Sequence, residues 1–117
     1  MLFRSVGIIF GKANRSSKSY DELVEKYQQK LSEGYKATGN YIPPKIYASQ
    51  KIFLENKLAH IINAIEDNLD NFSEEELDKY ILPHPLLGKL TYREMMYFTI
   101  YHAQHHEKIV RGYFAKG

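Results

Sequence analysis

The 117-residue chain contains no cysteine. That excludes disulfides, thiolate metal ligands and a cysteine nucleophile together. It does not fix the compartment, because many secreted proteins also lack cysteine. Net charge is scarce too: 16 Lys and Arg stand against 14 Asp and Glu, a formal +2 at pH 7. The two signs are interleaved, so no basic block or basic helix face argues for nucleic acid. Long apolar runs are missing. A membrane span needs about 20 apolar residues, and the apolar stretch 1–10 is broken by Arg4 and Gly7. A secretory signal wants positive charge first, then a longer unbroken apolar run and a small-residue cleavage site. Neither pattern is met, and the expectation is a cytoplasmic protein with no membrane partner. No glycine-rich phosphate loop follows a strand, and no serine-centred nucleophile elbow occurs. Strand-type alternation, internal repeats and low-complexity linkers are absent as well.

The composition that remains, 44% hydrophobic and 26% charged, suits one helical domain over residues 1–117 with a modest core. Three capping boxes mark helix starts. In each, a Ser or Thr and a Glu three residues later satisfy each other's backbone N–H groups. The pairs are Ser19 with Glu22, Ser73 with Glu76, and Thr91 with Glu94. Residues 1–18 read as an apolar start and a loop. A helix over 19–34 follows, with Tyr20, Leu23, Val24, Tyr27 and Leu31 on one face and Gly34 as its stop. After a breaker-rich loop, Pro44 is placed in the first turn of a second helix over 45–69. There Tyr47, Leu54, Leu58, Ile61, Ile62, Ile65 and Leu69 recur at the spacing of one buried stripe. A short helix over 73–80, a rigid connector carrying Pro83, His84, Pro85 and Gly88, and a last helix over 92–114 complete an all-α reading.

The last helix carries the chemistry. On a wheel at about 100° per residue with Met95 at zero, His102, His106 and Tyr113 fall within roughly 20°, and Phe98 and Ile109 within roughly 60°. The opposite side holds Arg93, Gln104, Glu107, Lys108 and Arg111. Both histidines are therefore expected to face inward, with His105 at the stripe's edge. Residues four apart have Cβ atoms about 5–6 Å from each other, so the two imidazoles can swing onto one metal ion. Zinc, nickel, copper and iron all accept neutral imidazole. Two ligands fall short of the three protein ligands usual in catalytic sites. The competing reading makes the pair core residues hydrogen-bonded to tyrosine or backbone, and spacing alone leaves both open. His60 falls on the polar side of its helix. His84, between two prolines, reads as a lock on the connector. Tyr97 lies on the polar side of the last helix, and Tyr101 flanks His105.

The run Leu82-Pro83-His84-Pro85-Leu86-Leu87-Gly88-Lys89-Leu90-Thr91-Tyr92-Arg93-Glu94-Met95, leading into Tyr101-His102-Ala103-Gln104-His105-His106-Glu107-Lys108-Ile109, resembles the C-terminal part of the DinB-like superfamily. In that family an HP…GKLT…E connector enters a last helix with a His-x-x-x-His pair. Tyr35 to Pro44 also resembles a loop in one branch of it. The resemblance is specific over about 81–110 and looser over 20–70.

The resemblance implies a four-helix bundle, up-down with a long crossover, often dimeric. It also implies a divalent metal such as nickel or zinc, held by three histidines. Two of these map onto His102 and His106. The third belongs to the bundle's second helix, and no histidine precedes His60 here. The first two helices have no counterpart either, and residues 1–12 resemble the tail of a second helix entering the crossover. A third ligand is left to His105, His84, a carboxylate or a partner chain. Two functions follow. One is a metal site serving a hydrolase or thiol transferase with water as nucleophile. The other is a non-catalytic helical module that buries its apolar faces in a homodimer.

Overall fold

Ser19 opens the first helix by the device its sequence advertises. Its hydroxyl accepts from the Glu22 N–H at 3.2 Å, and the Glu22 carboxylate accepts from the Ser19 N–H at 3.4 Å. The computed structural model describes residues 11–36 and 42–116. Among these it is mostly helical, with four α-helices and a small two-stranded sheet. Most of the stretch assigned to an incoming helix tail lies outside the described residues. Gly11 and Lys12 are not helical, and Lys12 forms an isolated bridge with Tyr80. The chain divides into two compact units, residues 36–74 and the remainder.

In the larger unit, α1 (Tyr20–Ser32) buries Leu23 and Tyr27. It stops where Gly34 takes a φ of +91°, a conformation that favours glycine. The short helix expected over 73–80 is α3 (Glu74–Lys79), which leads into strand β1 (Ile81–His84). The connector is not all turn: β1 pairs antiparallel with β2 (Gly88–Thr91), in a register that sets Leu82 opposite Leu90 and His84 opposite Gly88. Gly88, at φ +77°, closes the three-residue loop in the left-handed geometry such hairpins use. The last helix, α4 (Tyr92–Lys116), starts directly from β2.

Leu23 and Tyr27 from α1 and Leu87 and Leu90 from the hairpin form the core. Leu31, Leu86, Met95, Tyr97, Phe98 and Tyr101 pack against it. α1 and α4 lie side by side in the same sense. Tyr20 meets Tyr97 at 5.9 Å between ring centroids, and further along Tyr27 meets Phe98 at 5.0 Å and Tyr101 at 5.8 Å. Tyr97, assigned to the polar side by the wheel, is thus part of the packed face. The 13 residues of α1 span about 20 Å and the 25 of α4 about 37 Å. The C-terminal end of α4 therefore outruns α1. Ile109 and Tyr113, expected to face inward, are 42% and 75% exposed.

In the smaller unit a 3₁₀ turn (Ala48–Gln50) precedes α2 (Lys51–Leu69). The helix starts later than the expected residue 45, and Pro44 sits in irregular backbone ahead of it. The new start has a local cause: the Gln50 side-chain carbonyl accepts from the Tyr47 N–H at 2.9 Å, with Tyr47 extended. The expected buried stripe does not form: Leu54, Ile65 and Leu69 are half-buried, Leu58, Ile61 and Ile62 are exposed, and Tyr47 lies ahead of the helix and is exposed. No helix among the described residues is long and apolar enough to cross a membrane.

Candidate metal centre

The first turn of α4 is anchored by Glu94, which is fully buried. Its carboxylate accepts from the Thr91 N–H at 2.8 Å, and the Thr91 hydroxyl accepts from the Glu94 N–H at 3.2 Å, so the third expected capping box is formed. Three further donors reach the same carboxylate. Arg15 gives two bonds, at 2.8 and 2.9 Å, and the Lys18 N–H one at 2.7 Å. Burial pushes the Glu94 carboxyl up, but Arg15 and the Thr91 and Lys18 N–H groups outweigh it and hold it below the usual range. Beside it Ser17 bonds Thr91 and Asp78, and Arg93 bonds Asp78 at 2.7 Å. These bonds tie the lead-in to α1 onto the base of α4, which puts Tyr27 against the histidine turns. Sequence reasoning found Glu94 as a cap but missed Arg15, Ser17 and Asp78, whose partners lie far away in the chain.

Two turns along α4, the Nε2 atoms of His102 and His106 approach to 2.9 Å, with ring centroids 4.4 Å apart and planes at 89°. His102 is half-buried. Its ring stacks on Phe98 at 5.0 Å and 19°, and the edge of Tyr27 closes another side at 6.3 Å. Burial, with His106 and then His105 adding, lowers its pKa, which favours the neutral ring that ligates metals. His106 is exposed, contrary to the inward placement expected for both. It borders a shallow depression with Val110 and Phe114.

The pair fits an ion at two positions. Nitrogens about 2.1 Å from one metal stand about 3.0 Å apart at a right angle and about 3.4 Å apart at the tetrahedral angle. Small side-chain rotations span that range from 2.9 Å. Among the described residues, no group of three or more His, Asp and Glu side chains could hold an ion.

The other histidines explain why. His84 Nδ1 accepts from the Leu86 and Leu87 N–H groups at 3.0 and 3.1 Å. A neutral His84 must then carry its proton on Nε2, and ligation through Nε2 would break both bonds. Burial, with His102 and Lys26 adding, pushes its pKa down to about 4. His84 is the lock on the connector, and its ring edge packs on Phe98 at 4.3 Å. His105 stacks on Tyr101 at 5.6 Å and 24°, with Tyr27 edge-on at 6.4 Å. His60 is exposed on α2. Comparison of the sequence with family models, curated proteins and solved structures finds no match.

Proposed function

We propose that the chain is a divalent-metal-binding helical protein of the DinB-like kind, acting in the cytoplasm, with His102 and His106 as ligands. The observation that carries this reading is the convergence of two imidazole Nε2 atoms to 2.9 Å on one helix face. Phe98 and Tyr27 hold the His102 ring, and its lowered pKa keeps it neutral and able to ligate at neutral pH. Nickel and zinc suit this donor type. A bound ion would supply Lewis acidity to a metal-dependent hydrolase or thiol transferase. Equilibrium dialysis against nickel and zinc, followed by metal analysis, tests the reading. The wild type should retain metal that His102→Ala does not. Equal retention by the two proteins overturns it.

A second reading rests on the same spacing. At 2.9 Å the two rings can share an N–H···N hydrogen bond, and the chain is then a non-catalytic helical module that associates through its exposed apolar residues. Absence of metal uptake, with self-association intact, would favour this second reading.

A further inference from the structure

We propose that the ion held by His102 and His106 is shared between two copies of the chain, each giving two imidazoles across a two-fold axis beside the exposed end of α4. The proposal rests on the metal-binding reading above and names the source of the missing ligands. One chain presents two donors, and no group of three or more His, Asp and Glu suited to an ion occurs among the described residues. A closed site takes four. The open side of the pair faces solvent, since His106 is exposed whereas His102 is held against Phe98. A second copy can reach it from that side, and doubling two donors gives four.

The helix beyond the pair fits the same partner. Ile109, Val110, Tyr113 and Phe114 are 42%, 51%, 75% and 82% exposed. A two-fold axis sets this patch against itself, which is how symmetric dimers are built. Large aromatics can bury about 150–250 Å² each, so the four side chains offer on the order of 450 Å² per copy. A stable interface takes about 800 Å² per partner. The apolar end of α4 is therefore too small to hold a dimer by itself, and four imidazoles on one ion make up the difference. Association should depend on metal.

Light scattering behind size exclusion, on protein stripped with chelator and then loaded with zinc or nickel chloride, tests this. Metal content is measured on each peak. The expected result is a monomer without metal and a dimer with it, carrying one ion for every two chains. His106→Ala should lose both metal and dimer with its helical circular dichroism intact. The double variant Tyr113→Asp, Phe114→Asp should weaken metal-driven dimerisation at least about tenfold. One ion per chain on a monomer overturns the sharing and leaves the metal reading standing. A dimer that persists in chelator and in His106→Ala also overturns it. No metal uptake at all overturns both.

Discussion

Replacing Glu94 should cost more stability than replacing any other charged residue of the described chain, because its carboxylate takes four hydrogen bonds while fully buried. Glu94→Ala leaves the Thr91 N–H, in a residue with no exposure, and the Lys18 N–H without their acceptor. A buried donor stranded in this way costs about 1–3 kcal/mol. Arg15 loses its partner too, but its side chain is 36% exposed and rehydrates in part, so its share is discounted. The sum is about 3–5 kcal/mol, the range for breaking a buried pair from one side. Small domains have roughly 5–15 kcal/mol in total, and the buried apolar core here is small. Glu94→Ala should therefore be largely unfolded at room temperature.

Glu94→Gln separates charge from shape. It keeps one carbonyl acceptor but sets an NH₂ against N–H donors, and should cost about 2 kcal/mol. The wild type should also weaken in acid. The folded carboxyl titrates below its ordinary value, so its contribution is complete above the unfolded pKa and is lost as pH falls through the folded one. Urea unfolding followed by circular dichroism measures both effects. A loss under about 1 kcal/mol for Glu94→Ala, against an expected 3–5, would refute the view that this carboxylate fastens α4 to the lead-in of α1.

Two further outcomes follow from the connector. The folded His84 pKa of about 4 lies below its ordinary 6.5. The stability this ring contributes should be complete above pH 6.5, decline below it, and be gone once pH has fallen through 4, a change of about 3 kcal/mol at 1.36 kcal/mol per unit. His84→Asn, which can still accept a backbone N–H, should flatten that part of the urea-stability profile; an unchanged slope would contradict the burial argument. Gly88 has φ +77° and open space around an added Cβ, so Gly88→Ala isolates backbone strain and should cost about 1–2 kcal/mol, with Gly88→Asn costing less. Equal losses for the two variants, measured by thermal melts, would count against a left-handed requirement.

What was legible in the sequence was local. The Ser19–Glu22 and Thr91–Glu94 boxes pair residues three apart, so their chemistry is visible without tertiary contacts, and both form. Gly34 as a stop is of the same kind. The hairpin was hidden because its strands have four residues each and prolines stand at 83 and 85. Proline cannot donate to a ladder and argues against a strand unless the strand lies at an edge, as both strands of a two-stranded sheet do. The Arg15–Glu94 pair joins residues 79 apart, and no periodicity carries that information.

The histidine helix shows where a helical wheel loses its power. Periodicity gives the side of a helix on which a residue lies, and His102, His106, Ile109 and Tyr113 do share one side. It does not say which part of that side a neighbouring element covers. Cover comes from α1 through Tyr27, which meets Phe98, Tyr101, His102 and His105. His102 therefore packs against Phe98 and Tyr27, while His106, one turn on, is exposed. The division is what makes the pair useful as a candidate site. A fully covered pair would be closed to any ion, and a fully exposed one would have no packed ring to hold a ligand in place. The side of α4 that meets Tyr27 sets the boundary between the two conditions: it takes in the His102 ring and leaves His106 to solvent.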